Sequence, residues 1–91
     1  MRAWINRGNA FASMRRYDQA IRDFDTAIEI KPDSSEALNN RGAAYSSKGD
    51  PDKAIRDCGK TIKLKPDYAK AYNNRAVAHF LRGDYGRPGR T

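Results

Sequence analysis

The chain has one cysteine, one histidine and one tryptophan among its 91 residues. A single thiol closes no intramolecular disulfide, so Cys58 fits a reducing compartment and excludes a small disulfide-stapled fold. One Cys and one His fall short of the three or four ligands a zinc site needs. No metal and no cofactor is therefore expected. No apolar run approaches the roughly 18 residues that span a bilayer, and Met1 is not followed by a basic region and an apolar core of the kind that marks a leader. The expectation is a chain with no membrane partner in the cytoplasm.

What is present points to helices. With 38% hydrophobic and 32% charged residues the composition suits a soluble helix-rich domain, and the length suits one domain with a real core. The net charge of +7 is uneven: residues 1–34 carry six basic and five acidic side chains, 35–68 carry seven and five, and 69–91 carry five and one. A nucleic-acid face should run along an element poor in acids, whereas bases and acids interleave over the first two thirds. Nucleic acid is accordingly the weaker alternative as partner.

The sequence repeats with a period of 34. Gly8 and Gly42 are so related, as are Ala20 and Ala54, Ile21 and Ile55, Asp23 and Asp57, Ile28 and Ile62, and Pro32 and Pro66, with Ala76 taking the third glycine's place. A fixed period of this length means stacked helical units, not one irregular core. Apolar residues three and four apart place Trp4, Gly8 and Phe11 on one helix and Ala20, Phe24, Ala27 and Ile28 on the next. Proline in "KPD" ends each second helix, and Asp33 or Ser34, like Asp67, is a cap for the helix that follows. Five helices are predicted, over 2–14, 18–30, 36–48, 52–64 and 69–82.

These positions carry a resemblance. Trp4, Gly8, Phe11, Ala20, Phe24, Ala27 and Pro32, with Arg7 in place of a leucine, resemble the tetratricopeptide repeat. The second copy keeps Leu38, Gly42, Tyr45, Ala54 and Pro66 but has Cys58 and Thr61 for Phe24 and Ala27; the third keeps Tyr72 and Ala76, with His79 at the aromatic place. The resemblance implies an all-α superhelix of about two and a half repeats: units over 1–34 and 35–68, a half unit over 69–85, and a flexible basic tail over 86–91. Gly8 opposite Ala20 and Ala27 should let the paired helices approach closely. The alanines at 3, 37 and 71, with those at 10, 44 and 78, form the stripe expected to stack each unit on the one before.

In the family the first helix of each unit lines a concave groove. The resemblance assigns that groove Arg2, Ile5, Asn6, Asn9, Ala12 and Ser13, then Glu36, Asn39, Asn40, Ala43, Ser46 and Ser47, then Lys70, Asn73, Asn74, Val77, Phe80 and Leu81. Asn6, Asn40 and Asn74 make a ladder of amides that suits an extended peptide backbone, since each offers donor and acceptor; the alternative is that they are tolerated polar residues on a solvated face. The expected function is binding of a protein or extended peptide by Asn6, Asn9, Asn39, Asn40, Lys70, Asn73 and Asn74. Relatives that grip the C-terminal carboxylate of heat-shock chaperones use two lysines, two asparagines and an arginine. Asn9, Asn40 and Lys70 match, but Ile5 stands for the first lysine and Asn74 for the arginine. Two of three cations are missing.

Three further features carry expectations. Arg7 and Arg41 should pair with Asp23 and Asp57, their stems filling apolar space, in preference to forming an anion-binding row with Arg75. Cys58 and His79 occupy core places on adjacent helices but lack an orienting third group, so no enzyme is expected. Gly86, Pro88 and Gly89 fall where a third second-helix would run, which leaves helix five without its mate. Tyr72, Ala76, Val77, His79, Phe80 and Leu81 are therefore expected to self-associate, as a homodimer through the C-terminal helix.

Overall fold

The computed structural model describes residues 2–83, and the tail expected over 86–91 lies outside them. Five helices follow one another: α1 (Arg2–Ser13), α2 (Tyr17–Ile30), α3 (Ser35–Lys48), α4 (Pro51–Leu64) and α5 (Ala69–Arg82). Each helix packs on the next, and α3 also touches α1 and α5, so the first helices of successive units stand side by side.

Local chemistry sets the boundaries. The Ser34 hydroxyl accepts from the Ala37 amide at 3.3 Å and starts α3, while Pro51, which has no N–H to lose, opens α4. Asp67 does not cap α5. Its N-cap is Tyr68, the period-related successor of Ser34, and no side chain bonds the helix start. The first helices end alike, with the residue after the last turn in the left-handed region: Arg15 at φ 64°, Gly49 at 98° and Gly83 at 90°. These three are 34 residues apart. At the first two, paired bonds close the turn, Arg15 N–H to Ala12 and Arg16 N–H to Phe11, then Gly49 N–H to Ser46 and Asp50 N–H to Tyr45, at 2.8 to 3.1 Å. That double closure satisfies carbonyls which a helix end leaves bare, and of the three residues Arg15 alone adopts the left-handed conformation with a Cβ.

The alanine stripe stacks the units. Ala37, Ala44, Ala71 and Ala78 are buried against the preceding helices, whereas Ala3 and Ala10 on α1 are exposed. The inner contact of the first unit has a large side chain nearest to its glycine. A methyl built on Gly8 would lie 2.5 Å from the Phe24 ring, so what the glycine makes room for first is a fully buried aromatic. Burying that ring contributes roughly 1.5 to 3 kcal/mol. The second unit is thinner at the matching place, where a methyl on Gly42 would meet the Cys58 sulfur at 3.0 Å and the Ala54 carbonyl at 3.3 Å.

Candidate functional site

The first helices α1, α3 and α5 line one face, and amides cross it between helices. Asn40 Nδ2 donates to Asn9 Oδ1 at 3.0 Å, and Asn74 Nδ2 donates to Asn39 Oδ1 at 2.9 Å. Asn40 and Asn74 are period-related, yet they choose acceptors from different registers. Position 5 in the first unit is an isoleucine and position 43 in the second an alanine, so each donor turns to the one neighbour that can accept. Beside the first pair an open cleft of about 380 Å³ is lined by Asn9, Ala12, Ser13 and Tyr17 with Phe24, Asn40, Ala43, Ala44 and Ser47. Outside this cleft, near the start of both helices, Arg2 pairs with Glu36, a link between the first helices of adjacent units.

Three residues assigned to the groove are closed to a ligand. Ile5 is 0% exposed, Asn39 2% and Ser46 8%. Ile5 and Asn39 share a register that the next first helix covers, which is why Asn73, their counterpart on α5, is exposed. Asn6 and Lys70 are exposed, and Asn74 is half-buried. Tyr17 and Phe24 line the cleft although they belong to α2, a second-helix contribution that a pattern confined to first helices misses.

The arginines pair as expected. Arg7 grips Asp23 through two bonds of 2.8 and 2.9 Å, and Arg41 grips Asp57 at 2.7 and 2.8 Å. Arg41 also donates to Asp25 at 2.8 Å, a partner not foreseen, and so ties α3 to both of its neighbours in sequence. These carboxylates, the Asp57 hydrogen bonds first among them, hold the Arg41 guanidinium charged well above its ordinary range. Cys58 is buried, and burial pushes its thiol up to about 11, with the Asp57 charge adding to the rise. A thiol so placed stays protonated at neutral pH and is a poor nucleophile. Among the described residues no three His, Cys, Asp or Glu side chains cluster as metal ligands, and no helix is long and apolar enough to cross a membrane.

The family model of the tetratricopeptide repeat matches residues 2–34 and again 35–68. The chain belongs to the tetratricopeptide repeat family. Among solved structures, the Sgt2 tetratricopeptide domain from Aspergillus fumigatus is similar with a TM-score of 0.88 and 34% identity, over 91% of this chain and 55% of that one. The first tetratricopeptide domain of Spaghetti (RPAP3), bound to the HSP90 peptide SRMEEVD, is similar with a TM-score of 0.85 and 28% identity, over 88% of this chain and 64% of that one. The second such domain of human RPAP3, in complex with the HSP70 peptide SGPTIEEVD, gives 0.80 and 29%, over 86% and 65%. The chain thus spans 55% to 65% of these three relatives. Comparison with curated protein sequences gives no significant match. As a tetratricopeptide array the chain holds two repeats and the first helix of a third. Helix α5 leaves Tyr72 42%, Val77 48%, Phe80 65% and Leu81 52% exposed, with Ala76 exposed and His79 half-buried beside them.

Proposed function

We propose that the chain is a non-catalytic protein-interaction module that binds an extended peptide across α1 and α3, at the cleft between Asn9 and Ser47. The observation that carries this reading is the Asn9–Asn40 pair at the rim of that cleft. The pair spends one donor and one acceptor on itself. Each amide keeps its remaining hydrogen-bonding capacity for a peptide backbone. Tyr17, Ala43 and Ala44 supply an apolar floor for alternate side chains.

The groove favours a peptide without a terminal cluster of carboxylates. Relatives hold peptides ending in EEVD. Here the place of one clamp lysine is the buried Ile5, and Asn74, at the place of the arginine, donates to Asn39. Charge-assisted bonds are roughly twice as strong as neutral ones, so their loss weakens carboxylate capture most.

The test is a peptide selected from a random library and titrated into the labelled protein. It is expected to shift the amide resonances of Asn9, Asn40 and Ser47. Asn40→Ala should weaken it by about 1 to 3 kcal/mol with helicity unchanged. An unchanged dissociation constant would remove this cleft from the function. SRMEEVD should bind more weakly than the selected peptide, and Asn74→Arg should strengthen it about ten-fold.

A further inference from the structure

Among the described residues the third arginine of the row, Arg75, has no carboxylate. Arg7 holds Asp23, and Arg41 holds Asp57 on the following helix and Asp25 on the preceding one. Gly59 stands 34 residues after Asp25, so α4 offers Arg75 nothing at the matching place. Among the described residues no acid bonds Arg75. Its guanidinium lies 5.5 Å from the ring of Tyr72, three residues earlier, as that of Arg7 lies 5.1 Å from Trp4, also three residues earlier. Arg75 is therefore already in the posture from which Arg7 grips an aspartate, so little side-chain freedom is left to lose on binding one.

The surroundings select the occupant. An open cleft of about 470 Å³ next to Arg75 is lined by Ala69, Lys70, Tyr72, Asn73 and Ala76. Helix α5 carries Lys70, Arg75 and Arg82 and no acidic residue, and of the three cations Arg82 is already paired with Asp52 of α4 at 2.9 Å. Two α5 faces laid on each other would bring Lys70 and Arg75 against the same cations with no α5 carboxylate between them, which counts against a second copy. An acid-bearing helix meets no such cost. Ala76 fixes a further property. Gly8 leaves room for the Phe24 ring and Gly42 for the Cys58 sulfur, each residue following the gripped aspartate, whereas Ala76 fills that room with its own methyl.

We infer that the open face of α5 docks an acidic amphipathic helix of a partner protein, which places an aspartate on Arg75 and, next in its sequence, a small residue on Ala76. The partner helix carries alanine three residues before that aspartate, in the frame of Ala20 and Asp23 or Ala54 and Asp57. This site is separate from the peptide cleft and does not depend on it.

The probe is an end-capped peptide of the α4 sequence, residues 51–64, with Cys58→Ala and Gly59→Ala, and with Lys60→Glu and Lys63→Glu on its exposed side to make it acidic, so that it presents Asp57 and a small residue in that frame. Titrated into the full chain, it is expected to bind saturably and to shift the resonances of Tyr72, Arg75 and Ala76. Asp57→Asn in the peptide, or Arg75→Gln in the protein, should raise the dissociation constant about ten-fold, and Arg75→Lys by less, since a lysine keeps the charge but not the paired bonds. Asn40→Ala should leave it unchanged, which separates this site from the groove. Absence of saturable binding at about 1 mM peptide overturns the inference, as does indifference to Asp57→Asn or a set of shifts confined to the groove. So does a dimer at about 100 micromolar protein that Phe80→Asp abolishes, because a second copy would then cover the face.

Discussion

One substitution made at three places should give three different results. Replacing glycine with alanine inside a helix removes backbone entropy from the unfolded chain and contributes about 1 kcal/mol wherever the methyl fits. At Gly59, in the middle of α4, nothing lies within 4 Å of the new methyl. The full gain should appear as a rise in melting temperature of about 4 to 8 °C for a domain of this size. At Gly8 the methyl would lie 2.5 Å from one carbon of Phe24 and 2.9 Å from the next. That ring is 1% exposed, so it has no solvent to swing into, and overpacking costs about 1 to 3 kcal/mol or more. The result should be a net loss of up to about 2 kcal/mol, despite the same entropic gain. Gly42 falls between, because its contacts at 3.0 and 3.3 Å need shifts of only tenths of an ångström, although one of them is backbone. Thermal and urea melts followed by circular dichroism give the order Gly59→Ala, wild type, Gly42→Ala, Gly8→Ala, from most to least stable. If Gly8→Ala stabilised the fold, or Gly59→Ala destabilised it, helix spacing in this chain would not be governed by the contacts described.

Three other outcomes are expected. Arg15→Gly should stabilise by about 1 to 2 kcal/mol, since Arg15 holds φ 64° at a place where Gly49 and Gly83 pay no steric cost; equal melting temperatures would mean that the strain is relieved elsewhere. Arg41→Ala should cost about 3 to 5 kcal/mol, because it strands the buried Asp57 and also frees Asp25, whereas Arg7→Ala should cost less, its guanidinium site being 59% exposed and open to water; equal losses in urea melts would refute this ranking. The Cys58 thiol, raised from 9.0 to about 11, should alkylate far more slowly than a free thiol at neutral pH. Its folded pKa exceeds the unfolded one, so its share of stability is complete below pH 9 and is lost as pH climbs through about 11; a melting temperature of Cys58→Ala that falls in parallel with the wild type over that window would rule the thiol out as the cause.

Much of the fold could be read from the 34-residue period, because repetition states the same packing instruction twice. The helix limits agree to within one residue, and the Arg–Asp pairs follow from two arginines and two aspartates recurring in step. What escaped the sequence reading depended on lateral contact. Ile5 and Asn39 sit on the helix face assigned to the groove, yet α3 and α5 close over that register, and nothing within a single unit signals it. The second partner of Arg41 escaped because Asp25 lies in the preceding unit and has no counterpart at Gly59. A readable signal did exist at the helix ends: Arg15, Gly49 and Gly83 recur at 34, and two glycines in a row of three mark a left-handed position.

Where one copy departs from the others, the departure is more informative than the agreement. Position 9 holds Asn, Ala and Val in successive units, 25 holds Asp and then Gly, and 8 holds Gly, Gly and Ala. None of these changes alters the helix, because each residue type is tolerated there. Each instead alters what a neighbouring surface can accept: Asn9 gives Asn40 an acceptor that Ala43 denies to Asn74, and Gly59 withholds from Arg75 the carboxylate that Asp25 gives Arg41. The shared positions build one scaffold. The divergent ones make the α1–α3 end a neutral, amide-lined cleft and the α5 end a cationic face shaped for an acid and a small side chain. Identical units would repeat one side-chain chemistry along the array, so the difference between cleft and α5 face is set by these few substitutions and is open to change one residue at a time.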